Sequence, residues 1–116
     1  MSDSDERRGA YRLLRNEAVI VKITGSPASP ELVGVTVECS SVDLSATGLR
    51  LLLECAVTRG AQLAMEVELA DTAQRYLLAG EVRWSQQTEV AGIYLVGVQI
   101  IDADADDAKR WASQFF

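Results

Sequence analysis

Two short stretches carry residue types at spacings that could recognise a ligand. Arg7-Arg8-Gly9-Ala10-Tyr11-Arg12 reads RRxxxR, and Asp43-Leu44-Ser45-Ala46-Thr47-Gly48 reads DxSxxG. Arginine presents a planar fork of donors that pairs with phosphate through two bonds at once. Arg15 adds a fourth cation close by, with its role open between a phosphate contact and a surface charge. The Asp43 carboxylate is an acceptor, and the Ser45 hydroxyl both donates and accepts. Each stretch also has a plain reading. Arginines in a charged leader are commonly solvated, and Asp, Ser and Gly are ordinary turn residues. Taken alone, each stretch leaves both readings open.

The rest of the chain narrows the chemistry. It has no histidine, which removes the Ser-His-Asp and Cys-His arrangements and the usual zinc ligands. It contains neither GxxxxGK[ST] nor GxGxxG. The run Asp102-Ala103-Asp104-Ala105-Asp106 begins like a calcium loop. However, Asp107 stands where such a loop needs Gly, and Ser113 where it needs Glu. A helix start explains the run better, with Asp104 as cap and Asp106 and Asp107 at the positive end of the helix. Cys39 and Cys55 lack CxxC spacing and read as reduced thiols packed like small apolar groups. No metal or cofactor is expected, and the chain is not expected to be an enzyme.

The net charge of −6 argues against DNA, RNA or anionic membrane as a partner. Its distribution is more informative. From Asn16 onward there are seven Lys/Arg against fourteen Asp/Glu, whereas Arg7, Arg8, Arg12 and Arg15 crowd the start. A cationic arm on an acidic body reads either as a solvated leader drawn to its own domain or as reserved for a small anion. The 116 residues fit one domain with a real hydrophobic core. No signal-peptide pattern opens the chain, and no apolar run approaches the ~20 residues of a membrane helix. A cytoplasmic protein without a membrane span is expected.

The elements that must position these residues follow from periodicity. Residues 1–16 read as a flexible arginine-rich arm and 17–116 as the folded domain. Period-two alternation predicts strands at 18–24, 32–40, 49–54, 62–70, 75–84 and 92–101, separated by turn signals. In the second, Val33, Val35, Val37 and Cys39 share the inward face. In the third, Leu49, Leu51 and Leu53 do. Leu63, Met65, Val67 and Leu69 face inward from the fourth. Six short strands suggest a small antiparallel barrel or sandwich. Trp84, at the end of the fifth, reads as core rather than as a ligand platform, and Tyr11 as packing on the barrel or on a base. Past residue 101 the period becomes helical, with Ala105, Ala108, Trp111, Ala112 and Phe115 on one face.

RRxxxR followed by a strand and then by DxSxxG at the start of another strand resembles the PilZ domain family. "VDLSATGLRL" resembles the family's phrasing around the second motif, and "EVRW" with "GIYLVGVQI" resembles its last two strands. The resemblance runs from about Glu6 to Trp111. It implies an all-β fold, a six-stranded antiparallel β-barrel with a C-terminal α-helix. It also implies binding of the second messenger cyclic di-GMP without catalysis. Arg8 and Arg12 then map onto the RxxxR arginines, and Asp43, Ser45 and Gly48 onto the second motif. Arg7 maps onto an extra arginine whose presence implies a stacked, intercalated pair of ligand molecules. An arginine fork can pair with phosphate or with guanine O6 and N7. Asp43 can accept from a guanine edge, and Gly48 permits close approach of the backbone. A ligand-dependent protein partner in motility, biofilm or exopolysaccharide control is the implied output. The alternative is a PilZ-like interaction module that binds no nucleotide. Whether the chain forms a homodimer stays open.

Overall fold

A computed structural model of the protein describes residues 13–115. Six strands close a barrel: β2 (Ala18–Gly25), β3 (Thr36–Leu44), β4 (Gly48–Leu53), β5 (Gln62–Leu69), β6 (Gln74–Gln87) and β7 (Tyr94–Ile101). The order around the barrel is β3-β2-β5-β6-β7-β4, and β4 pairs back onto β3. Every pairing is antiparallel. Closure leaves the barrel without the open edge that makes a sheet prone to association. A helix, α1 (Asp106–Ala112), follows β7 and runs into a 3-10 turn at Ser113–Phe115.

The alternating residues do what the period requires. Val19, Val21 and Ile23 from β2, Leu49, Leu51 and Leu53 from β4, and Leu63, Met65, Val67 and Leu69 from β5 all fill the interior. Removing each such side chain from water contributes roughly 1.5–3 kcal/mol. Trp111 of α1 is fully buried, edge-on to Tyr76 and tilted against Phe115, so the helix closes one part of the core.

Three expectations need correction. The strand expected at 32–40 begins only at Thr36 and continues to Leu44. Pro30 starts a 3-10 turn at Pro30–Leu32, as its fixed φ favours. Gly34 then takes a left-handed φ of 96°, and Val33, expected inside, is 50% exposed. Asp104 does not cap α1. Ala105 stands at that position, with no side-chain cap bond. Trp84 is not core but 40% exposed. The register of β6 against β7 slips between Val82 and Trp84, so an extra residue enters the strand there. Such a bulge reverses the alternation, and a side chain due to point inward points outward instead.

A seventh, two-residue strand, β1 (Leu13–Leu14), matters most for position. It lies on the edge of β3 that β2 also uses, further along: Leu13 pairs with Leu44 and Leu14 with Asp43. The chain is thus joined to the barrel from Leu13 onward. Arg7, Arg8, Tyr11 and Arg12 lie outside the described residues.

Candidate ligand site around Asp43 and Trp84

The DxSxxG stretch is a strand end, a tight turn and a strand start. Asp43 and Leu44 are the last residues of β3, and Gly48 is the first of β4. Ser45 builds the turn: its amide donates to the Gly48 carbonyl at 2.9 Å. Its hydroxyl oxygen accepts from the amides of Gly48 at 3.1 Å and Thr47 at 3.3 Å. The same hydroxyl donates to the Gly48 carbonyl at 3.2 Å. Gly48 is required by crowding: a Cβ there would collide with the Val98 carbonyl oxygen of β7. The turn is also tied from outside. Ile100 donates its amide to the Thr47 carbonyl at 2.8 Å, and the buried Trp111 indole N–H donates to the Ser45 carbonyl at 2.8 Å.

Asp43 and Ser45 are each only 1% exposed. Asp43 pairs across the β3–β4 ladder with Arg50, beside a register shift between Ser41 and Asp43. The Asp43 carboxylate Oδ2 accepts from Arg50 Nε at 2.7 Å and lies 2.5 Å from Nη2. That bond raises the pKa of the Arg50 guanidinium further above its ordinary value. Arg50 is a residue the sequence reading missed. A four-residue turn, Ser45 to Gly48, sets 44 opposite 49, and hence 43 opposite 50, so the hairpin register was the signal that could have found it.

Arg50, Arg83, Trp84, Gln99, Thr47 and Gly48 line a cleft of about 220 Å³ on the outer surface, beside the turn. Trp84 forms one wall because Gly97 lies against its ring, where any Cβ would overlap the indole. Arg83 donates from Nε to Gln99 Oε1 at 2.6 Å. The cleft therefore offers an aromatic face, two guanidinium groups and an amide. Those groups suit a planar, hydrogen-bonding, anionic ligand.

Arg15 is placed differently. Its guanidinium pairs with Glu17 at 2.5 Å and Asp71 at 3.2 Å. Glu17 also accepts the Ala70 amide at 3.0 Å. Ser41 accepts the Glu17 amide at 2.8 Å and donates to the Arg15 carbonyl at 2.5 Å. This cluster fastens the link between β1 and β2 to the end of β5. Cys39 and Cys55 are half-buried against the core, and burial pushes the Cys39 thiol up to about 12. Among the described residues no group of Cys, Asp or Glu is arranged to hold a metal ion. No helix among them is long and apolar enough to cross a membrane.

The family model described as PilZ domain matches residues 6–115. No curated protein matches in sequence. Solved structures that share the fold include the following three. The inhibitor of motility MotI/DgrA from Bacillus subtilis superposes with a TM-score of 0.69 at 15% identity, over 93% of this chain and 48% of that one. The PilZ domain of YcgR from Escherichia coli, solved with c-di-GMP, gives 0.61 at 15%, over 93% and 87%. MrkH, described as a c-di-GMP-dependent transcription regulatory factor, gives 0.60 at 16%, over 90% and 48%. The chain thus spans about half the length of MotI and MrkH.

Proposed function

The chain belongs to the PilZ domain family, and from that premise we propose that it is a cytoplasmic receptor for cyclic di-GMP that passes the signal to a protein partner without catalysing a reaction. One observation carries the reading: β1 joins the foot of the RRxxxR arm to Asp43 and Leu44. Arg12 directly precedes Leu13, whose strand partner Leu44 adjoins Ser45. The chain that follows the first motif thereby meets the second motif at the end of β3.

In this reading a guanine stacks on Trp84, and Arg50 and Arg83 meet its O6/N7 edge or a phosphate. Asp43, aimed by Arg50, accepts from the guanine donor edge. Ser45 and Gly48 hold the turn that sets Asp43 and Arg50 across from one another. Arg8 and Arg12 clamp the phosphates, and Arg7 favours a second, stacked ligand molecule. Ordering the arm costs about 1–2 kcal/mol per residue. Charge-assisted bonds of about 1.5–3 kcal/mol each offset that cost.

Calorimetric titration tests it. Binding in the micromolar range or tighter is expected, with two ligands per chain. Arg8→Ala or Arg12→Ala should abolish binding while leaving thermal unfolding almost unchanged. A second reading, an interaction module without nucleotide, is favoured by the burial of Asp43 and Ser45, whose polar atoms already bond within the protein. A flat titration at tens of micromolar ligand would select that second reading.

A further inference from the structure

A second groove lies behind the DxSxxG turn. Ala46, Ile100, Ala103, Ala108 and Ala112 line it, about 310 Å³ in volume, between the turn, the end of β7 and α1. That is near the small end of the range for ligand pockets, roughly 300–1,000 Å³, and gives room for one or two apolar side chains. Thr47 and Gln99 line this groove and also the cleft beside Trp84. The two depressions therefore share a wall, and the Ile100–Thr47 hydrogen bond crosses it.

The charge around the groove selects what could enter it. Asp102, Asp104 and Asp106 flank Ala103 and Ala105 and are exposed. Among the described residues, none of the three has an ion-pair partner, and they outnumber Lys109, the exposed cation that follows Ala108. An acidic rim repels nucleic acid and anionic bilayers and attracts cations. A different exposed apolar face, around Ile20 and Leu77, carries Lys22 and the Glu66–Arg75 pair. With Lys22 and Arg75 against Glu66, that face has no acidic excess to draw a basic segment.

We propose that this groove is the docking surface for a basic segment of a protein partner, which inserts an apolar side chain between α1 and the turn while its Lys or Arg residues meet Asp102, Asp104 and Asp106. Because Thr47 and Gln99 belong to both walls, occupancy of one depression shifts affinity at the other, and linkage makes that effect reciprocal. The docking surface is independent of nucleotide, and only the coupling rests on the receptor reading above.

The test uses the full chain and a synthetic amphipathic peptide with leucines on one face and lysines on the other. Nuclear magnetic resonance should show shifts concentrated at Ala103, Ala108 and Ala112. The triple variant D102N/D104N/D106N should weaken peptide binding at least fivefold. E38Q/E54Q/E68Q, which changes net charge equally on exposed residues elsewhere, should stay within twofold of the parent. Equal loss in both variants, or shifts centred on Ile20 and Leu77, overturns the proposal, as does a chain dimer that the aspartate variant dissolves. Saturating cyclic di-GMP should change peptide affinity at least threefold. If the chain binds nucleotide and peptide affinity does not move, the coupling fails while the docking surface stands. If nucleotide does not bind at all, the receptor reading fails.

Discussion

Two arginine–carboxylate pairs flank β3, one on each edge, and they look alike at first. Arg15–Glu17 sits where β1 leads into β2, and Arg50–Asp43 sits on the β4 side. In both, the carboxylate is buried, Glu17 at 5% and Asp43 at 1%, while the arginine keeps about a third of its side-chain surface in water. Their surroundings differ. Arg15 is shared with a second carboxylate, Asp71, and Glu17 also holds a backbone amide of Ala70. Arg50, among the described residues, pairs with Asp43 alone and lines an open cleft with Trp84. The first pair is committed to joining strands. The second faces a cleft that a ligand could enter. Ion-pair geometry alone does not separate a structural arginine from a binding one; the number of competing partners and the neighbouring space do.

The largest effect should come from breaking the committed pair. Glu17→Ala removes the acceptor of the Ala70 amide and the partner of a charged donor, each worth about 1.5–3 kcal/mol when charge-assisted. A loss of about 3 kcal/mol is expected, a fall in Tm of more than ~10 °C for a domain this size. Cyclic di-GMP affinity, measured well below the new Tm, should change less than threefold. A large affinity loss with an unchanged Tm would reverse the roles assigned to the two pairs.

Arg50→Ala should behave in the opposite way. Water entering the cleft can rehydrate Asp43, so the stability loss is expected to stay under about 1.5 kcal/mol. Ligand affinity should fall at least tenfold, which is about 1.4 kcal/mol. Arg50→Lys should restore stability but not affinity, because an ammonium cannot reproduce a planar fork. Recovery of full affinity by Lys would reduce Arg50 to a point charge.

Trp84→Ala comes next, and it probes a residue whose placement was hidden in the sequence. Loss of a stacking face should weaken binding about fivefold to tenfold, within the ~1–3 kcal/mol typical of base–aromatic stacking. Stability should change little, since the ring is 40% exposed. Unchanged affinity would move the ligand off this wall of the cleft.

The strands β2, β4 and β5 were legible because their inward residues repeat strictly every second position, from Val19 through Leu69. The barrel and its helix followed from those periods and from the resemblance. Trp84 was not legible, because a bulge adds one residue and leaves no mark in composition. The start of β3 was misread for a related reason: Val33 and Val35 continue the alternation in sequence, while Pro30 and Gly34 force a turn through it. The DxSxxG stretch was legible as a motif, but its internal labour was not. Ser45 spends its hydroxyl on the turn, and Gly48 is needed to clear the Val98 carbonyl. Arg50 lay two residues beyond the motif and becomes visible only when the hairpin register is drawn.

The smallest effect belongs to a third pair, which calibrates the other two. Asp107 and Arg110 lie 3.2 Å apart on α1, both substantially exposed, and Asp107 accepts the Leu77 amide of β6 at 2.7 Å. That amide bond, with Arg110 adding, holds the Asp107 carboxyl below its ordinary value of 3.8. A carboxyl depressed in the folded state contributes stability that is fully present above its unfolded pKa. That contribution is lost as pH falls through the folded pKa. Asp107→Asn should therefore lower Tm by a few degrees at pH 7, for a loss under about 1 kcal/mol. Scanning calorimetry should find the variant and parent converging towards pH 2. A Tm difference that stays constant across that range would mean Asp107 acts through packing on β6. An exposed pair would then owe its worth to position rather than charge, and the contrast between Arg15 and Arg50 would have to be redrawn on the same terms.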